Sequence, residues 1–154
     1  MKAPHRFDPL SLDLPFMDEA HDELMRLLAI IDDTDDAHLP AAWRDLVECA
    51  ALRFAHEDQW MDATGYATRR DHQIQHRVVL EVMREALAQA SAGPAAHVRQ
   101  MAWQFRDWYH KHVQTLDAAL ALHLRGRRFD PANGTLGPRR DSTAGPALNL
   151  RTSR

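Results

Sequence analysis

Residues 53–76 read RFAHEDQWMDATGYATRRDHQIQH, and the spacing within this run decides the fold. Phe54, Glu57 and Met61 recur at three- and four-residue steps, which places them on one helical face. Thr64-Gly65-Tyr66 signals a turn, and His72 and His76 follow on the next helix. An i,i+4 pair lies one turn apart on the same face, so both imidazoles can address a common atom. Glu57 is the anomaly: a carboxylate at core spacing is costly unless it is paired, protonated or bound to a metal. Two imidazoles rarely satisfy a metal alone, so other helices are expected to bring further His and carboxylate groups.

Working outward, the run is embedded in helical patterning. Phe16, Ala20, Leu24, Leu27, Leu28 and Ile31 trace an amphipathic helix, with His21 beside the stripe and Asp18 nearly a turn before it. Asp18 can serve the first turn or orient the His21 imidazole. The segment Asp32-Asp33-Thr34-Asp35-Asp36 reads as a solvated connection, since it lacks the glycine and terminal glutamate of a calcium loop. A second helix follows Pro40 and runs to about Ala63, with Trp43, Leu46, Val47, Ala50, Phe54, Glu57 and Met61 inward. A third covers roughly Arg69 to Ala90 and is punctuated by Ser91-Ala92-Gly93-Pro94. A fourth runs from about Ala95 to Arg125, with Gly126 as its cap. On it, His112 and Asp117 are five residues apart, about 140° at regular pitch, so both reach one site only if it lies between them or a π-bulge widens the helix. His110, His5, His38, His97 and His123 read as exposed.

These features predict an all-α protein, an up-down-up-down four-helix bundle over residues 1–131 with an extended N-terminal arm. Residues 132–154 read as a basic, disordered tail: Arg127, Arg128, Arg139, Arg140, Arg151 and Arg154 face only Asp130 and Asp141 after Gly126. The chain of 154 residues suits one domain. A net charge of −3 gives no electrostatic case for nucleic acid. Cys49 is the single cysteine, which excludes an internal disulfide or a thiolate cluster within one chain. No secretory leader and no membrane span are legible, so the expected location is cytoplasmic and no membrane partner is expected. Ten histidines are the compositional oddity.

Collected in order, the candidate metal ligands are His21, Glu57, His72, His76, His112 and Asp117. Neutral imidazoles mixed with carboxylates suit iron, manganese or zinc, and two carboxylates able to bridge suggest two metals. At this point the chain resembles the single-domain bacterial hemerythrins, through MDEAH (17–21), RFAHEDQWM (53–61), GY (65–66), HQIQH (72–76), WYHKHVQTLD (108–117) and ALHLRGRRFDP (121–131). The resemblance implies a four-helix bundle holding two irons with an oxo or hydroxo bridge and binding molecular oxygen reversibly, for carriage, storage or sensing. It implies that His72, His76 and His112 fill one iron, that Glu57 and Asp117 bridge, and that His21 serves the oxygen-binding iron.

One position departs from the pattern. Where the resemblance calls for a histidine four residues before Glu57, this chain has Arg53, whose protonated guanidinium has no lone pair to offer. Three arrangements are open: His56 swings in as a substitute ligand; solvent fills a weakened second iron; or Arg53 turns inward onto Glu57 or Asp117, leaving one iron. An outward Arg53 with a solvated His56 is the bland alternative. Phe54, Trp108, Val113 and Leu28 are expected to line the ligand pocket. The functions that compete are oxygen binding without enzymatic turnover, reduction of peroxide or another small oxidant, and a degenerate module that signals or binds a partner.

Overall fold

Pro15 opens the first helix, where its missing N–H costs nothing, and α1 spans Pro15–Asp33. The computed structural model describes residues 10–138. Within them α2 spans Leu39–Thr64, α3 Arg69–Ala90 and α4 Ala95–His112. The fourth rod continues as a π-helical segment, Val113–Asp117, and then as α5, Ala118–Gly126. A two-stranded antiparallel hairpin, β1 (Phe129–Asp130) and β2 (Thr135–Leu136), follows. Helix α1 packs on α2 and α4, and α3 packs on α2 and α4, which closes a four-helix bundle. No helix of the described residues is long and apolar enough to cross a membrane.

The turns follow from local chemistry. Gly65 ends α2 at φ 62°, a left-handed conformation that glycine adopts freely, while Tyr66 N–H donates to Met61 O. The C-terminus of α1 is closed from another helix: Arg99 donates to Ile31 O at 3.3 Å, Thr34 O at 2.7 Å and Asp36 Oδ1 at 2.8 Å. Trp43 is fully buried, and its Nε1–H donates to Met83 O at 3.0 Å across α2 and α3. At the other end, the arm before Pro15 is tied down. Asp18 accepts from Leu12 N–H at 2.8 Å and Ser11 Oγ at 3.0 Å, and Arg125 donates to Leu12 O.

The bundle has two apolar cores with a polar layer between them. The larger contains Leu24, Leu28, Ile31, Trp43, Phe54, Met83, Phe105 and Val113 among others. The smaller contains Met17, Met61, Leu120, Ala121, Leu124 and Phe129. Along α1, His21 falls between Met17 and Leu24; along α2, Glu57 falls between Phe54 and Met61; along the fourth rod, Asp117 falls between Val113 and Leu120.

The hairpin departs from the expectation that a disordered tail begins at residue 132. Short-range bonds build it: Asp130 Oδ1 accepts from Ala132 N–H, Asn133 Oδ1 accepts from Thr135 N–H, and Gly134 turns at φ 68°. Phe129 anchors it in the smaller core beside Trp60. Arg139, Arg140, Asp141, Arg151 and Arg154 lie outside the described residues, as does His5. His38 and His97 are exposed as expected, but His110 and His123 are half-buried. Thr64 Oγ1 donates to Trp60 O and accepts from His123 Nε2, and the His123 ring lies against Tyr66.

Candidate metal centre

Six side chains expected from the sequence meet in the polar layer, and each is at most 3 % exposed: His21, Glu57, His72, His76, His112 and Asp117. His72 and His76 come from successive turns of α3, as their spacing requires. His112 and Asp117 flank the π-helical segment, and their Nε2 and Oδ1 atoms are 3.0 Å apart. The widened turn removes the 140° divergence that regular pitch would impose, as the sequence anticipated. Thr115 Oγ1 donates to Lys111 O at 2.7 Å within this segment, giving that carbonyl a side-chain partner.

Five of these residues, Glu57, His72, His76, His112 and Asp117, each offer one ligand atom within 4.8 Å of all the others. His72 Nε2 and His76 Nε2 each lie 3.1 Å from His112 Nε2. Asp117 Oδ1 is 3.1 Å from His72 Nε2, and Glu57 Oε2 is 3.2 Å from His76 Nε2. Despite these separations, Glu57 Oε2 and Asp117 Oδ1 accept no hydrogen bond. The atoms converge on a common centre instead of pairing along N–H axes. Metal–nitrogen bonds of about 2.1 Å at right angles would put adjacent donors about 3 Å apart, so the donor set fits a cation.

Charge reinforces that fit. Burial opposes protonation of His76, but Asp58 and Glu57 outweigh it and push its pKa up to about 9. Burial likewise opposes charge on His72 and His21, yet Asp117, with Glu57, raises both. Burial would raise the Asp117 carboxyl, whereas His112, His21 and His72 hold it well below the usual carboxylate range. The two buried carboxylates facing these imidazoles make the centre of the layer a place where positive charge is favoured.

Asp117 reaches two ways. Its Oδ1 faces the three imidazoles, while its Oδ2 is 3.0 Å from His21 Nε2. His21 thus stands on the far side of a shared carboxylate. Aromatic rings wall the three-imidazole side: Phe54 stacks on His76 at 4.2 Å and 3°, and Trp108 stacks on His112 at 4.6 Å. Of the expected pocket-lining residues, Phe54 and Trp108 therefore serve that side. Edge-on to His21, at 5.7 Å, is Tyr109, a residue the sequence reading did not single out.

Neither inward arrangement proposed for the departing position occurs. Arg53 forms an ion pair with Glu23 of α1, and its guanidinium lies against the Cys49 thiol. Its long side chain reaches a surface-proximal carboxylate without entering the polar layer, which spares it desolvation. His56 stacks over Trp60 and lines a surface cleft with Pro131, so it supplies no substitute ligand. Helical geometry leaves it 60° from the Arg53 direction, and Trp60 one turn on holds it there.

The role of one further residue, Asp58, escaped the sequence reading. Asp58 Oδ1 lies 2.8 Å from His76 Nδ1 and orients that imidazole from outside the layer. Its neighbour Glu57 gave the stronger signal, and nothing in the spacing links Asp58 to His76. Asp18 holds the N-terminal arm and makes no hydrogen bond to His21, although its charge is felt there.

Comparison with known proteins agrees with this geometry. The chain is 26 % identical over 113 residues to a Bacteriohemerythrin of Ralstonia nicotianae (strain ATCC BAA-1114 / GMI1000), covering 73 % of this chain and 82 % of that protein. The profile of the Hemerythrin HHE cation binding domain matches residues 12–121, which contain every member of the polar layer. With a bundle of the expected architecture and a buried His/Glu/Asp cluster that fits a cation, the chain belongs to the hemerythrin HHE cation-binding family.

Proposed function

We propose that this protein is a non-haem di-iron protein that binds molecular oxygen reversibly, for carriage, storage or sensing, without enzymatic turnover. The observation that carries this reading is the divided carboxylate of Asp117, with one oxygen beside His72 and His112 and the other beside His21. One shared carboxylate facing two donor groups is the arrangement two adjacent cations need. His72, His76 and His112 would hold the first iron, Glu57 and Asp117 would bridge, and His21 would hold the second. Iron, when bound, supplies the electrons that oxygen borrows on binding and returns on release.

The chain's own side chains do the rest. Asp58 fixes the His76 ring, and the faces of Phe54 and Trp108 keep water from the three-imidazole side. Arg53, engaged with Glu23, leaves the His21 side with one imidazole and two shared carboxylates. That deficit favours a second reading, in which the His21 side loads weakly and the protein works with one iron or reduces a small oxidant such as peroxide.

Anaerobic reconstitution followed by iron analysis and visible spectroscopy separates these readings. Two irons per chain with a charge-transfer band that appears with oxygen and disappears on its removal supports oxygen binding. One iron, or consumption of peroxide without a reversible band, supports the second reading. No iron uptake overturns both.

A further inference from the structure

Among the described residues, large apolar side chains that reach solvent stand singly on most helices: Ile30 on α1, Leu52 on α2, Trp103 on α4 and Leu122 on α5. Isolated ones are ordinary on a protein surface. Helix α3 differs. It carries Ile74, Val78 and Val82 on successive turns, 42 %, 55 % and 48 % exposed. At helical pitch Ile74 and Val82 stand about 40° to either side of Val78, so the three form one stripe. The stripe runs down the outer face of the helix whose inner face brings His72 and His76 to the polar layer. At its far end Val82 borders a cleft between α3 and α4, with Ala86 and Met101 in its walls.

Exposed charges are ordered about the same stripe. Arg70 lies two turns before Val78 and Glu85 two turns after it, while Arg77 and Glu81 flank the middle. Arg70, Arg77 and Glu81 form no ion pair among the described residues, and Glu85 accepts only from Gln89 of its own helix. Asp71, on the same face, answers the positive end of the α3 dipole. Arg84 lies further round and lines the cleft that holds Asp58 and Asp62.

This order is self-complementary. A two-fold axis through Val78, perpendicular to α3, lays the α3 of a second copy antiparallel on the first, and every contact then occurs twice. Val78 meets the partner's Val78, and Ile74 meets the partner's Val82. Arg70 and the partner's Glu85 come level to within one residue, about 1.5 Å along the axis, and Arg77 and the partner's Glu81 to within about 3 Å. Moving the axis one turn, to Ile74 or to Val82, loses both the apolar match and the Arg70 pairing with Glu85. We infer that the outer face of α3 is the contact surface of a homodimer, in which two copies pack antiparallel about Val78 and Arg70 closes each end on the partner's Glu85. The pairing uses no residue of the polar layer, so it stands independently of the oxygen-binding reading.

The test is sedimentation velocity on the full chain over micromolar concentrations, where the mass is expected to rise from one chain to two. Val78→Glu sets two carboxylates against each other at the axis and is expected to raise the dimer dissociation constant at least about tenfold. Arg70→Glu and Glu85→Arg each bring like charges together at both ends and are expected to weaken the dimer by about tenfold. Mixed in equal amounts, these two charge variants are expected to associate as the wild type does, because each reversed site then meets an opposite charge. Misfolding of a variant cannot produce that recovery. A wild-type chain that stays a monomer throughout, a dimer indifferent to Val78→Glu, or a mixture that associates no better than either charge variant alone overturns the inference.

Discussion

Arg53 shows how much one side chain decides. Four residues before Glu57, it occupies the helical position from which an imidazole would reach the His21 side, yet it turns to Glu23. Arg53→His exchanges a surface ion pair of small net worth for a ligand. The expected outcome is a second iron bound at least tenfold more tightly, read by chelator competition against wild type. Unchanged stoichiometry and affinity would show that the deficit lies elsewhere. Asp58 tests the opposite side. Asp58→Ala frees His76 Nδ1 and is expected to weaken iron at the three-imidazole position by about 10- to 100-fold, measured as the rate of iron loss to a chelator. At this scale Glu57, His72, His76 and His112 were legible because helical spacing turns each toward the core, whereas His21 stands beside the apolar stripe of its helix and Asp117 joins the set through the widened turn. The direction of Arg53 was not legible, since a long side chain chooses among acceptors on neighbouring helices. Asp58 was hidden because its role depends on a contact between helices that no local spacing records.

Among the elements, the π-helical segment Val113–Asp117 has the clearest purpose. It inserts one residue between two ligands so that His112 and Asp117 face the same interior. Inserting an alanine after Thr115 adds a residue that turns Asp117 and everything after it by about 100° away from His112. The expected outcome is loss of the shared position: iron uptake falls to one per chain or none while helical circular dichroism persists. Retention of two irons would mean that Asp117 is not the bridge. The four rods and the Gly65 turn could be read from apolar periodicity and turn chemistry over twenty residues or so. Strands of two residues carry no periodicity, which is why the hairpin at Phe129–Leu136 was read as tail. Its order comes from Asx-type bonds and from Phe129 docking in the smaller core, a tertiary event.

For the whole molecule, the polar layer is both a site and a cost. Buried carboxylates and imidazoles between two apolar cores are stabilised most when a cation neutralises their charge. Removing iron is therefore expected to lower the melting temperature, since a ligand at 100 times its dissociation constant contributes about 2.7 kcal/mol. Differential scanning calorimetry with and without iron measures this directly, and coincident transitions would count against a bound metal. The burial of all six side chains between the two cores has a second consequence. His21 and Asp117 stand 96 positions apart, and their partners come from every rod of the bundle. A cation held among them ties distant stretches of chain to one point, closing long loops as a covalent link would. A protein with one cysteine thus acquires a removable crosslink, tightened by metal supply and released by a chelator.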